Sequence, residues 1–135
     1  MALPFLDTNV LLRHLRQDHP IHSPKASAIL KRVERGELEV RTSDLVVFET
    51  VFTLERGYRQ RREAIADKLV GLLELPGIEL PGKRLYRRVF ELYLGTRLGF
   101  ADCYHAALIE HTGGTEILSF DRDFDSVPGL TRREE

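Results

Sequence analysis

Residues 4–12, PFLDTNVLL, decide the fold class, because a short apolar run passes through one carboxylate, Asp7, into a segment with helical spacing. The same order recurs late in the chain, where ILSF (117–120) runs into Asp121. Strands that alternate with helices in this way indicate an α/β domain with a mainly parallel sheet. Functional groups of such domains gather at the carboxyl ends of the strands, where both acids would lie.

The remaining apolar patterns extend this reading to a single domain over residues 1–135, with a flexible tail expected from about residue 130 to 135. Pro4 complicates the first strand, because proline cannot donate to a sheet ladder. The predicted strands cover residues 2–6, 38–41, 78–80 and 116–120. The predicted helices cover residues 8–15, 23–36, 44–56, 61–75, 83–97 and 100–111, with a helical turn over 121–127.

Composition excludes several classes of protein. With 42% hydrophobic and 30% charged residues and a net charge of −1, the chain is expected to be globular rather than disordered. The lone cysteine, Cys103, excludes an intrachain disulfide framework and a cysteine-rich zinc module. The chain has no signal-peptide pattern and no run of roughly 18–20 apolar residues. We therefore expect a cytoplasmic protein with no membrane association.

Two further acids lie in apolar surroundings. Glu49 is in the middle of LVVFETVFTL (45–54), and Asp102 is near the start of FADCYHAALI (100–109). A carboxylate in apolar surroundings is costly unless it is paired, protonated or bound to a cation. Oxygen ligands of this kind select hard cations such as Mg²⁺ or Mn²⁺. The pattern predicts that these two acids converge with Asp7 and Asp121 on one metal site.

Each acid also has an ordinary structural explanation. Asp7 and Asp121 are suited to cap the helices that follow them. Asp102 is suited to complement a helix dipole, and Glu49 could be a buried acid paired with an arginine. A shared site is favoured because all four positions fit one rim of the sheet.

Four segments, taken in order, resemble the PIN domain: DTNVLL (7–12), FETVFTLE (48–55), GFADCYHAALI (99–109) and ILSFDRDFDSVPG (117–129). Their spacing and the chain length are similar to those of the toxin-type members called VapC. The resemblance implies a small parallel sheet flanked by helices and a metal-dependent endoribonuclease activity. It also implies RNA as substrate, a homodimer, and neutralisation by a VapB-like antitoxin whose tail covers the active site.

The resemblance assigns roles to individual residues. Asp7, Glu49, Asp102 and Asp121 match the four family acids, in that order. The accompanying polar positions are matched by Thr8, Asn9 and Ser119, the last standing where threonine is common.

The chemistry implied is metal-assisted hydrolysis of a phosphodiester by one or two Mg²⁺ or Mn²⁺ ions. Asp7 and Asp102 are expected to be direct ligands, and Glu49 and Asp121 direct or water-mediated ones. Asp123 and Asp125 could add a ligand, although turn residues of this type are more often solvent-facing.

Two basic clusters are candidates for RNA binding, since the fork of arginine suits phosphate and the chain has far more arginine than lysine. The alternative for each is a solvated surface. The clusters are Arg56, Arg59, Arg61 and Arg62, and Lys83, Arg84, Arg87 and Arg88. Tyr58 and Tyr86 lie among them and could stack on bases or simply pack.

Other functions stay open at this stage. One is a PIN-type nuclease that processes RNA without being a toxin, and another is an inactive module that binds RNA or protein. An aspartyl-phosphate transferase is disfavoured, because Asn9 occupies the position where such enzymes of the haloacid dehalogenase type carry a second aspartate.

Overall fold

The computed structural model describes residues 2–135, which form two compact units, the first ending at Lys83 and the second spanning Arg84–Glu135. Parallel strand pairs and helices occur in both units, which confirms the predicted α/β class. No helix within the described residues is long and apolar enough to cross a membrane.

The first unit contains four α-helices and a small parallel sheet. Its helices are α1 (Thr8–Arg16), α2 (His22–Glu34), α3 (Asp44–Phe52) and α4 (Arg62–Leu73). Its strands are β1 (Val40–Arg41) and β2 (Ile78–Glu79), which pair in parallel. A π-helical turn, Thr53–Gly57, continues α3 and accounts for most of the extra length predicted for that helix.

The predicted first strand is reduced to a single bridge between Phe5 and Arg41. Leu6 N donates to Arg41 O at 2.7 Å, and Arg41 N donates to Pro4 O at 2.9 Å. Pro4 thus contributes only its carbonyl, as expected for a residue without an N–H. The Thr42 hydroxyl adds a buried bond to Leu6 O at 3.0 Å, which fixes the backbone immediately before Asp7.

The core of the first unit explains why Asp7 is held in place. Leu6 and Leu11, on either side of the acid, are 4% and 1% exposed. They pack in one cluster with buried residues of the other elements, namely Leu30, Val33, Val40, Val46 and Ile78. Burial of several aliphatic side chains, each contributing about 1.5–3 kcal/mol, anchors both ends of the segment that carries Asp7.

The second unit packs two helices, α5 (Leu85–Gly95) and α6 (Phe100–His111), against each other. Aromatic rings form their contact, with Tyr93 and Phe100 edge to face at 5.4 Å between centroids. The remainder of the unit comprises β3 (Glu116–Leu118), a 3₁₀ turn (Arg122–Ser126) and β4 (Thr131–Arg133).

The expected flexible tail is wrong for residues 131–133, because they form β4 and pair in parallel with β3. Backbone hydrogen bonds, including Ser119 N to Arg133 O at 3.0 Å, hold this strand pair, and side-chain ion pairs accompany them. Arg133 contacts Glu116 at 2.9 Å across the strand pair, and Arg132 contacts Asp125 at 3.0 Å. A polar, two-sided strand of this kind gives no alternating apolar pattern from which it could be predicted.

Candidate metal-binding and nuclease site

The Asp7 carboxylate is not used by the helix that it precedes. Asp7 is the N-cap residue of α1 with extended backbone angles, but its side chain makes no capping hydrogen bond. The capping explanation therefore fails for this residue. Its exposed carboxylate is left available for a cation or a water.

The burial expected for Glu49 is wrong, since its side chain is exposed. Helix α3 is apolar on nearly every side, and the side that enters the core carries Val46, Val47, Thr50 and Val51. Glu49 lies on the opposite side with Leu45, which is 78% exposed. Because apolar residues occupy both sides, periodicity alone could not tell which one faces the core.

Thr8 links the first two acids. It is buried, and its hydroxyl donates a hydrogen bond to Oε1 of Glu49. The partner of Glu49 is thus a threonine hydroxyl rather than an arginine, which removes the ion-pair explanation. Because Thr8 directly follows Asp7, this bond ties the carboxylates of α1 and α3 into one neighbourhood.

In the second unit, Asp102 lies in the first turn of α6, where a negative charge is favoured by the helix dipole. Its side chain is 36% exposed, and Oδ1 is 3.7 Å from Nδ1 of His105. His105 is itself exposed. The dipole explanation is compatible with this position, and so is a ligand role.

Asp121 does act as a cap, as its alternative explanation predicted. Its Oδ1 accepts from Asp123 N at 2.9 Å at the start of the 3₁₀ turn. Its own N–H donates to the Ser119 hydroxyl at 3.0 Å, so Ser119 orients the backbone that carries the acid. Asp125 is engaged with Arg132, whereas Asp123 is exposed.

Residues 2–135 contain no group of three or more histidine, cysteine or acidic side chains arranged to hold a metal ion. The donor chemistry of Asp7 and Glu49 nonetheless suits a hard cation, because both side chains present carboxylate oxygens. Cys103 is fully buried and donates weakly to Leu98 O, as expected for a packing residue.

The two basic clusters differ in how far their cations are committed to other contacts. In the first, the side chains of Arg56, Arg59 and Arg61 are exposed. In the second, Lys83 donates to Leu75 O and Ile78 O at 2.9 and 2.8 Å and so holds the chain around β2. Arg88 bonds to Glu91 and Glu110 at 3.2 Å each.

The tyrosines among the clusters also differ. Tyr86 is buried in an aromatic group with Phe90, Phe100 and Tyr104, so it packs rather than stacking on bases. Tyr58 is 38% exposed, and the guanidinium of Arg16 lies 3.7 Å from its ring centroid.

Sequence reasoning missed the cations of the first two helices. Arg13 follows Asn9 by four residues and therefore shares its face of α1. The spacing of Asn9 and Arg13 can be seen in the sequence, but the packing of α2 against the same face of α1 cannot.

Comparisons with known proteins support one assignment for the whole chain. The family model described as PIN domain matches residues 5–130. A VapC ribonuclease of Aquifex aeolicus is 30% identical over 127 residues, covering 93% of this chain and 92% of that protein. Ribonuclease VapC13 of Mycobacterium tuberculosis is 30% identical over 131 residues, covering 94% and 96%. The chain therefore belongs to the PIN domain family.

Proposed function

We propose that this protein is a VapC-type toxin, an endoribonuclease that hydrolyses RNA with the help of Mg²⁺ or Mn²⁺. The observation that carries the proposal is the Thr8–Glu49 hydrogen bond beside the uncommitted Asp7 carboxylate. The bond joins Glu49 to the residue that directly follows Asp7, which supports a shared site for these two acids. The names of the relatives, all ribonucleases, support the same activity.

The four acids hold the cation in the proposed reaction. Asp7 and Asp102 would hold the cation directly, and Glu49 and Asp121 would hold it directly or through water. When bound, the cation supplies a Lewis acid and a water of lowered pKa. Thr8 fixes the rotamer of Glu49, and Ser119 fixes the backbone at Asp121.

A cleavage assay tests this proposal. Purified protein, freed of any antitoxin, is incubated with structured RNA and Mg²⁺ or Mn²⁺, and cleavage is compared for wild type, Asp7→Asn and Asp102→Asn. Both variants should lose cleavage by at least about a hundredfold, because an amide is a poor replacement for an anionic ligand. Asp67→Asn, which makes the same charge change at an exposed position of α4, should cleave normally.

Two outcomes would overturn the proposal. One is cleavage that survives EDTA, and the other is cleavage that persists in both variants. An antitoxin reading frame directly upstream in the genome would favour the toxin over a PIN-type nuclease that processes RNA. An inactive module that binds RNA or protein would give no cleavage with wild type.

We further propose a homodimer, neutralisation by a VapB-like antitoxin, and a cytoplasmic location. The apolar side chains that α3 exposes support an interface, since Leu45 is 78% and Phe52 38% exposed. The antitoxin and the location follow from the assignment as a VapC-type toxin.

A further inference from the structure

A groove lies between α1 and α2, and it begins at Asn9, two residues after Asp7. Its cavity has a volume of about 430 Å³, within the range of about 300–1,000 Å³ that is typical of small-ligand sites. It is lined by Asn9, Val10, Arg13, His22, Lys25, Ala26 and Ile29.

The lining divides into an apolar part and a basic part. Val10, Ala26 and Ile29 are buried or half-buried and form the apolar floor. Arg13 and Lys25 supply two positive charges, and no acidic side chain lines this cavity. A ligand that matches both parts has an apolar portion and an anionic portion close to it.

The charge of Arg13 is only loosely engaged. Its Nη1 lies 3.9 Å from Asp18 Oδ1, and both side chains are about two-fifths exposed, at 41% and 37%. Exposed pairs of this kind are worth about 0–1 kcal/mol, so a phosphate can compete for the guanidinium. Lys25 is exposed on the facing helix.

The groove continues beyond Arg13. A smaller cavity of about 100 Å³ shares Asn9 and Arg13 with it and adds Leu12, Asp18 and Tyr58. The path therefore runs from the α1–α2 groove along Arg13 to an aromatic ring. A cation beside a partly exposed aromatic ring occurs on surfaces that bind single-stranded nucleic acid, although here Asp18 and the guanidinium of Arg16, 3.7 Å from the ring centroid of Tyr58, lie at the same end.

At the other end, His22 is held by its neighbour. The rings of His19 and His22 stack at 4.3 Å between centroids. Nδ1 of His19 accepts from the backbone N–H groups of Ile21 and His22 at 3.2 and 2.8 Å. These bonds fix the turn that begins α2 and thereby the wall of the groove.

We propose that the α1–α2 groove binds one nucleotide of single-stranded RNA beside the cleavage site. Its phosphate contacts Arg13 and Lys25, and its base or ribose lies on Val10, Ala26 and Ile29. Asn9, two residues after Asp7, connects the groove to the acids. The inference rests on the proposed function and adds a substrate subsite to it.

The test measures binding separately from cleavage. Protein carrying Asp7→Asn is titrated with a short fluorescein-labelled oligoribonucleotide of mixed sequence at several salt concentrations. Adding Arg13→Gln and Lys25→Gln should lower the affinity at low salt by at least about tenfold. The slope of log affinity against log salt should shrink by about 0.7, the value expected when one phosphate of a single strand is no longer neutralised.

A matched control removes two charges from the same helix outside the groove. Lys31→Gln with Arg32→Gln changes exposed positions of α2 that do not line the cavity, and should leave the salt slope nearly unchanged. Ile29→Thr should weaken RNA binding without altering the slope, because it changes the apolar floor only. Unlabelled RNA should displace the probe far better than polyglutamate does.

The groove inference is overturned if the Arg13 and Lys25 variant keeps both affinity and slope, or if the control variant loses as much. Equal competition by polyglutamate would also overturn it, because the groove would then accept any acidic chain. If wild type cleaves RNA and the groove variants still bind it normally, the groove inference fails but the proposed function does not.

Discussion

The hydroxyl of Thr8 is the most informative single group in the first unit, because it is buried and donates to a carboxylate on another helix. We predict that Thr8→Val lowers RNA cleavage about 10–100-fold and raises the Mg²⁺ concentration needed for half-maximal rate. Such losses are typical when a group that orients a metal ligand is removed. The measurement is cleavage rate against Mg²⁺ concentration.

Thr8→Ser provides the matched control, since it keeps the hydroxyl and should restore most of the activity. Valine nearly matches threonine in shape, so thermal unfolding of Thr8→Val will show whether the fold is retained. If Thr8→Val folds and keeps the wild-type dependence on Mg²⁺, then Thr8 and its bond to Glu49 have no role in the site.

The positions of the four acids could be predicted from the sequence, but the burial and hydrogen-bond partners of their side chains could not. Three of the acids could be located because they precede or begin an element, namely Asp7, Asp102 and Asp121. The exposure of Glu49 could not be predicted, because α3 has valines on one side and leucine and phenylalanine on the other. Which of those sides is covered depends on tertiary packing rather than on the local pattern.

At the scale of elements, α1 and α2 are joined by a polar link that sequence did not predict. Gln17 donates to the Ser27 hydroxyl at 2.7 Å, and that hydroxyl lies 2.8 Å from Nδ1 of His14. Ser27 accepts from Gln17, and its hydroxyl can also donate to or accept from Nδ1 of His14, because a hydroxyl has one proton and two lone pairs. Burial lowers the pKa of His14 below its usual value, because it disfavours the charged ring.

The lowered pKa of His14 predicts a pH dependence of stability. A histidine whose pKa is lowered by folding binds its proton more readily when unfolded, so its stabilising contribution is complete above about pH 6.5. It is lost as the pH falls below that value through the lower pKa of the folded state. The free energy of unfolding, measured with urea from neutral to mildly acidic pH, should therefore fall more steeply for wild type than for His14→Gln.

The control for this experiment is His111→Gln, at an exposed position at the end of α6. It should leave the steepness of the fall unchanged. If the free energy of unfolding falls equally steeply with pH for wild type and His14→Gln, folding does not lower the pKa of His14.

The turn between α4 and β2 depends on the close approach of Gly77 to the end of α2. A Cβ at Gly77 would lie 2.9 Å from Val33 Cγ1 and 3.0 Å from Val33 O. Gly77→Ala should therefore reduce the free energy of unfolding by about 1–3 kcal/mol, because backbone and a buried valine must move. Urea denaturation measures the change.

Gly71, inside α4, is the matched position without such a contact. A Cβ there would meet nothing within 4 Å. Gly71→Ala should stabilise the protein by about 0.5–1 kcal/mol, since alanine loses less backbone entropy in a helix. Similar effects of the two substitutions, in either direction, would contradict the packing described for Gly77.

Most helices were predictable within a few residues because caps and glycines mark their ends. Ser43 does cap α3, accepting from Val46 N at 3.4 Å, and Gly36 ends the α2 region with a φ of 77°. The strands were less predictable: β1 and β2 have two residues each, and β4 is polar. Segments this short depend on their partners more than on their own composition.

At the scale of the whole molecule, the small net charge conceals an uneven surface. The chain carries a net charge of −1, yet the α1–α2 groove is lined by Arg13 and Lys25 without an acid. Local charge of this kind, rather than the total, decides where a polyanion binds. Two of the exposed apolar side chains, Leu45 and Phe52, lie on α3 beside Glu49.

The proposed homodimer can be tested on the α3 surface, which has a cavity of about 580 Å³ lined in part by Leu45, Phe48 and Phe52. Burying these side chains against a second copy would yield about 25 cal/mol for each Å² of apolar surface removed from water. We predict that wild type sediments as a dimer and that Leu45→Ser with Phe52→Ser shifts it toward monomer. Ile21→Ser, at another exposed apolar position, should sediment like wild type. A monomeric wild type would exclude the dimer, whereas a dimer unaffected by the double substitution would exclude α3 as its interface.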